Sequence, residues 1–138
     1  GDSEFVLWSN ANIAAKPMLD VVDSMDEITF SDLDKIYQNV RDAAYEIISR
    51  KKATFYGIGM ALVRITTAIF NNENRIMPIS VLNDGVYDCD PDVYIGLPAV
   101  LNRQGVHHIV KFSLSDGEKR KLKNSADIIR KNLADIGY

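Results

Sequence analysis

The 138-residue sequence has one cysteine, two histidines and no long uninterrupted apolar run. A single thiol, Cys89, cannot form an internal disulfide, and this fits a reducing cytosol. Without about 20 consecutive apolar residues, we expect no membrane-spanning helix. The first residues carry no basic segment followed by an apolar one, so we expect no secretory signal peptide. Because the chain lacks an initial methionine, we expect the natural protein to start upstream.

The charge balance is slightly acidic, with 16 Lys and Arg against 19 Asp and Glu and a net charge of −3. No basic footprint for nucleic acid is therefore expected. The composition is 46% apolar and 25% charged, which is typical of a globular protein with one domain of ordinary size.

Helical periodicity dominates residues 31–70. We predict a helix with Ser31 as its N-cap, because apolar residues then recur at three- and four-residue steps and residues 49–52 add cations near its end. Residues 54–70 predict a second helix that is apolar on most sides and therefore buried. Gly57 and Gly59 would allow close approach or a break there. Residues 5–13 could form a short strand.

The second half of the sequence has the residue pattern of β-strands. We predict a strand at residues 76–82 and a hairpin of residues 93–101 and 106–112, with Pro98 at an edge or a bulge. Ser115 and Glu118 have capping-box spacing before a C-terminal amphipathic helix, whose apolar positions are Leu122, Ile129, Leu133 and Ile136. The predicted fold class is α+β, with a mixed, largely antiparallel sheet, helices packed on it and a long C-terminal helix. No complete glycine-rich nucleotide motif is present.

Chemically reactive residues are few. His107 and His108 are adjacent in a predicted strand, so they should point to opposite faces, one at the surface and one packed, and no metal pair is expected. Cys89 lies between two aspartates, which disfavour a nucleophilic thiolate.

Two groups of acidic residues can be considered as metal or catalytic sites. The aspartates at 88, 90 and 92 alternate like metal-loop ligands but lack the glycine and glutamate of an EF-hand, so we predict no metal site. Asp2 and Glu4 could form an acid–base pair, but the sequence shows no partner for them at this terminus. The residues alone indicate an α+β domain without a self-contained active site.

Four segments carry a family resemblance in order and spacing. Residues 1–13 contain GDSEF and WSNANI, and residues 42–61 contain DAAYEII followed by KATFYGIGMA. Residues 70–81 contain FNNEN and MPISV, and residues 92–100 read DVYIGLPAV. Together they resemble the C-terminal, substrate-side domain of bacterial NAD-dependent L-lactate dehydrogenases, in which GDSE follows the catalytic histidine.

The resemblance implies a cytoplasmic oxidoreductase that forms homo-oligomers, either tetramers or dimers. Hydride would pass between NAD and a small 2-oxo or 2-hydroxy acid such as pyruvate or L-lactate, with the histidine moving the proton. Residues 1–138 would be the C-terminal domain, and the Rossmann NAD-binding domain would precede them. No nucleic acid, membrane or metal partner is implied.

The resemblance also assigns roles to five residues. Thr54 matches a substrate-contacting threonine, although it could simply cap a helix. Ala43 and Ala44 match small residues beside the substrate side chain, and close helix packing is their alternative. Ile58 matches an apolar residue packed against the nicotinamide ring, but could equally belong to the core. Tyr45 matches a tyrosine that is phosphorylated in some bacterial members.

The departures concern the catalytic machinery. The proton-transferring histidine is expected immediately before Gly1, and its aspartate partner and the substrate-gripping arginines lie further upstream. Asn10 replaces a frequent histidine, and Ala14 and Ala15 replace paired glycines. We therefore expect the isolated fragment to be inactive, to bind NAD poorly and to self-associate.

Two alternatives stay open. The parent enzyme could act on L-2-hydroxyisocaproate or malate, because the selecting loop lies upstream. The chain could also be a non-catalytic assembly fragment.

Overall fold

The computed structural model describes residues 3–89 and 91–138, and it divides into two compact units, residues 1–56 and 57–138. The helices are α1 (Met18–Ser24), α2 (Phe30–Lys51), α3 (Phe55–Phe70) and α4 (Asp116–Asp135). The strands are β1 (Asn12–Ile13), β2 (Lys16–Pro17), β3 (Arg75–Leu82), β4 (Tyr94–Asn102) and β5 (Gly105–Ile109). Every described strand pair is antiparallel, and the predicted α+β class is confirmed.

The predicted strand at residues 5–13 is largely wrong. A 3₁₀ turn, Trp8–Asn10, occupies its middle, and β1 and β2 form a two-residue ribbon after it. Ala14 and Ala15 make the connecting turn with φ values of 48° and 68°. Two successive positive φ angles match the twist of a tight hairpin but strain residues that carry a Cβ atom.

The N-cap of helix α2 lies two residues before the predicted one. Thr29 is the N-cap: its hydroxyl accepts a bond from the Asp32 amide at 3.3 Å, and the Asp32 carboxylate accepts one from the Thr29 amide at 3.1 Å. The Ser31 prediction is therefore wrong, because a threonine–aspartate capping box lies just upstream. The predicted basic C-terminal end is confirmed by Arg50 and Lys51 in the last turn.

Helix α3 is continuous, but its predicted burial is wrong for this chain. Ala68 is its one buried residue, whereas Met60 is 68% and Leu62 59% exposed. A Cβ atom added at Gly57 or Gly59 would meet nothing within 4 Å, so neither a close approach nor a helix break explains these glycines. A helix that is apolar on most sides is expected to be covered by other protein surfaces. The sequence pattern does not show whether those surfaces belong to the same chain.

The second unit is built on the sheet β3–β4–β5. Alternate residues of β4 are buried, from Ile95 through Leu97 and Ala99 to Leu101, and Leu122 and Ala126 of α4 join them in the core. The predicted Ser115–Glu118 capping box is confirmed at the start of α4. Of the other apolar positions predicted on this helix, Ile136 is 71% exposed.

Pro98 lies on the central strand, and the register shift lies between Val100 and Leu101, so the predicted edge or bulge at Pro98 is wrong. It pairs with Pro78 of β3, and its carbonyl accepts a bond from the Val110 amide at 2.8 Å. In an antiparallel strand the nitrogen of a residue points to the same side as its carbonyl. The missing donor of Pro98 therefore faces the point where β5 ends, at Ile109, and leaves the ladder to β3 intact.

Candidate functional site

The alanine pair implied by the family resemblance lies on the exposed surface of α2. Ala43 and Ala44 are both exposed, so close helix packing, their alternative role, does not occur within the first unit. Neighbouring Tyr45 is 57% exposed. Small side chains on an open helix surface leave room for a ligand of variable size.

Thr54 stands between the two long helices, directly before Phe55, the first residue of α3. It occupies the position of a helix cap and is half-buried. Its side chain nevertheless forms no hydrogen bond with any residue in the described ranges. The capping alternative is thus unsupported, and an accessible hydroxyl remains that can donate to or accept from a bound molecule.

The connector around Thr54 has a defined local geometry. Lys52 adopts the left-handed conformation, with φ of 65°, and its amide donates to the Ile48 carbonyl at 2.8 Å. The Lys51 ammonium lies 5.7 Å from the Tyr56 ring centroid, within the range of a cation–π contact. The helix rise places Ala44 about 10 Å before Lys51 along α2, so the alanine pair and the connector mark separate positions.

Ile58 lies in the first turn of α3, in the second unit, and is 59% exposed. Its alternative role as a core residue is therefore not realised in this chain. A branched apolar side chain of this exposure can pack against a flat ring. The position expected to precede Gly1, together with Gly1 and Asp2, lies outside the described residues.

The histidine prediction needs correction. His107 is an extra residue in β5, because Leu101 pairs with Val106 while Val100 pairs with His108. A bulge re-aims successive side chains. Instead of pointing to opposite faces, the two imidazoles meet edge-on with centroids 5.0 Å apart, and both are exposed.

The bulged histidines border an open cavity of about 550 Å³ in the second unit. Its lining contains none of the five residues implied by the family resemblance. Within residues 3–89 and 91–138 no group of three or more histidines, cysteines or carboxylates could hold a metal ion. Asp90, one of the alternating aspartates, lies outside those ranges. None of the helices in the described ranges is long and apolar enough to cross a membrane.

One polar contact escaped sequence reasoning. The Tyr37 hydroxyl donates to the Glu4 carbonyl at 2.7 Å. In the sequence, Tyr37 is one of the residues of the three- and four-residue apolar repeat that predicts this helix. The one signal in the sequence is that the hydroxyl of a tyrosine on an apolar face usually needs a hydrogen-bond partner. That partner is 33 residues away, and the sequence does not identify it.

Comparison with known proteins gives consistent matches. L-lactate dehydrogenase 1 of Listeria monocytogenes is 51% identical over 135 residues, covering 98% of this chain and 42% of that protein. A lactate dehydrogenase structure from a Medee basin deep-sea metagenome is 75% identical, with a TM-score of 0.93, over 100% of this chain and 44% of that one.

The ligand-bound minor L-lactate dehydrogenase of Enterococcus mundtii is 36% identical, with a TM-score of 0.90, and its match covers 100% of this chain and 43% of that one. The chain thus spans less than half the length of these relatives.

The architecture shared with these structures is that of an α+β domain. The model of the lactate/malate dehydrogenase alpha/beta C-terminal domain matches residues 1–137. The chain belongs to the lactate/malate dehydrogenase family and corresponds to the C-terminal domain of its members.

Proposed function

We propose that residues 1–138 are the substrate-side domain of an NAD-dependent L-lactate dehydrogenase that interconverts pyruvate and L-lactate. The observation that carries the proposal is the 75% identity to a lactate dehydrogenase structure across the whole chain. The proposal includes an upstream Rossmann domain, a cytoplasmic location and a homo-oligomeric parent. The exposed apolar residues of α3 support contacts with the upstream domain or with another subunit, because such residues are usually covered by protein.

Thr54 is proposed as a substrate contact because its hydroxyl is accessible and unused within the described chain. A hydroxyl can donate to the carboxylate or the oxo group of a 2-oxo acid. Ala43 and Ala44 are proposed to leave space for the substrate side chain, since neither extends beyond a methyl group.

NAD, when bound, supplies the hydride acceptor or donor of the reaction. The residues present fit this group: Ile58 is apolar and 59% exposed, which suits contact with one face of a nicotinamide ring. Ile58 would hold the ring and exclude water from it. Proton transfer is assigned to the histidine expected before Gly1.

The proposal is tested in the full-length enzyme containing this segment, by NADH-dependent pyruvate reduction. Thr54→Val removes the hydroxyl while keeping the shape, and kcat/KM for pyruvate should fall about tenfold to hundredfold, as for a lost hydrogen bond to a charged group. Thr66→Val, at an exposed position of α3, is the matched control and should leave kcat/KM unchanged. A full-length wild type without pyruvate reduction would overturn the proposal.

The exposed Ala43–Ala44 pair favours one second candidate, a dehydrogenase for bulkier 2-oxo acids. Turnover of the same enzyme on branched 2-oxo acids and oxaloacetate, compared with pyruvate, decides between them. If no acid is turned over while the oligomer persists, the assembly-fragment reading stands instead. Tyr45, also exposed, is proposed as a modification site, to be checked by mass spectrometry of protein isolated from cells.

A further inference from the structure

Tyr37 connects α2 to the N-terminal segment of the chain. Its hydroxyl donates to the Glu4 carbonyl at 2.7 Å, and the two residues are 33 positions apart in sequence. The ring is half-buried on α2, one turn after Leu33, which is 3% exposed. The bond therefore comes from a side chain whose position is restricted by the helix that carries it.

The segment that receives this bond has no regular structure of its own. Residues 4–7 belong to neither helix nor strand, and Leu7 has φ and ψ of −88° and 69°, outside the helical and extended regions. Such a segment lacks a ladder of backbone bonds, so individual contacts set its path. A bond to the Glu4 carbonyl restricts the peptide groups on both sides of it.

Helix α2 holds Tyr37 in a well-defined position. It has 22 residues, its N-terminus is closed by the Thr29–Asp32 capping box, and its C-terminus ends in the Lys52 turn. Capped ends resist fraying, and Tyr37 lies in the third turn, away from both ends. The position of the Glu4 carbonyl is therefore tied to a rigid element.

We infer that Tyr37 is a positioning residue for proton transfer, acting through the Glu4 carbonyl on the segment that begins at the catalytic imidazole. This inference rests on the proposed function, in which the histidine precedes Gly1 and so lies four residues before Glu4. A general acid or base must sit within hydrogen-bond reach of the reacting oxygen, and a displacement of about 1 Å can cost about a hundredfold in rate.

The test is Tyr37→Phe in the full-length enzyme with NADH and pyruvate. The single-turnover rate should fall about threefold to tenfold, as expected for one lost hydrogen bond, while the KM for pyruvate changes less than twofold. The solvent deuterium isotope effect on that rate should rise, because proton transfer becomes slower. Tyr94→Phe is the control: its side chain is 64% exposed and forms no bond with a described residue, so all three values should match the wild type.

The outcomes separate the two claims. A wild type that does not reduce pyruvate refutes the proposed function. An active wild type with an unchanged Tyr37→Phe rate and isotope effect refutes the positioning role alone. A lower rate with an unchanged isotope effect and a lowered melting temperature assigns Tyr37 to general stability, which also overturns the inference.

Discussion

The Thr29 hydroxyl lies 2.6 Å from the Asp32 carboxylate at the start of α2, and the same carboxylate accepts bonds from the Thr29 amide and the Lys35 ammonium. The side-chain bond from Thr29, followed by the one from Lys35, lowers the pKa of Asp32 from 3.8 to about 2. These bonds favour the charged form of the carboxyl group.

The lowered pKa predicts acid sensitivity of α2. Since the folded value lies below the unfolded one, the stabilisation is complete above about pH 4 and is lost as the pH falls towards 2. Asp32→Asn should flatten this part of the stability profile, measured by urea unfolding between pH 2 and 6. Asp34→Asn, whose carboxylate bonds to no described residue, should keep the wild-type profile; equal flattening by both variants would contradict the assignment.

The cap itself can be tested at neutral pH. Thr29→Ala should lower the free energy of unfolding by about 1 kcal/mol, because the Asp32 amide loses its acceptor. Ser31→Ala is the matched control, since the Ser31 side chain bonds to no described residue, and its effect should be close to zero. The reverse order in urea midpoints would restore Ser31 as the cap.

The turn between β1 and β2 should gain stability from glycine. Ala14 and Ala15 both have positive φ, where a Cβ atom is strained and glycine is not. The double substitution Ala14→Gly with Ala15→Gly should raise the free energy of unfolding by about 1 kcal/mol. Ala11→Gly should lower it, because Ala11 has an ordinary φ of −72°. Destabilisation by the double variant, seen in urea unfolding, would argue against this turn.

Asn83 should be among the least tolerant polar positions. It is 1% exposed, its side-chain amide donates to the Cys89 carbonyl at 3.3 Å, and its oxygen accepts from the Val86 amide at 3.0 Å. Asn83→Ala removes both of these bonds from a buried site and should cost about 2–4 kcal/mol of unfolding free energy. Asp84→Ala, at the exposed next position, should cost under 0.5 kcal/mol. A similar loss for both variants in thermal unfolding would remove the special role of Asn83.

The sequence by itself determined the α+β class, the hairpin of β4 and β5, the Ser115–Glu118 cap and the family. Each of these depends on local information: side-chain periodicity, turn residues, a three-residue spacing, or motifs in a fixed order. The Thr29 cap is equally local, but its capping box has Asp32 at the position where glutamate or glutamine is usual, so the sequence pattern does not match the common form.

Only the tertiary structure decided the contacts made across long sequence separations. Pro98 is tolerated in the central strand because β5 ends beside it, and His107 meets His108 because the strand bulges there. Tyr37 reaches Glu4 because α2 runs beside the N-terminal segment. Strand order, register and helix placement are set by packing the whole chain at once, and no short stretch of sequence specifies them.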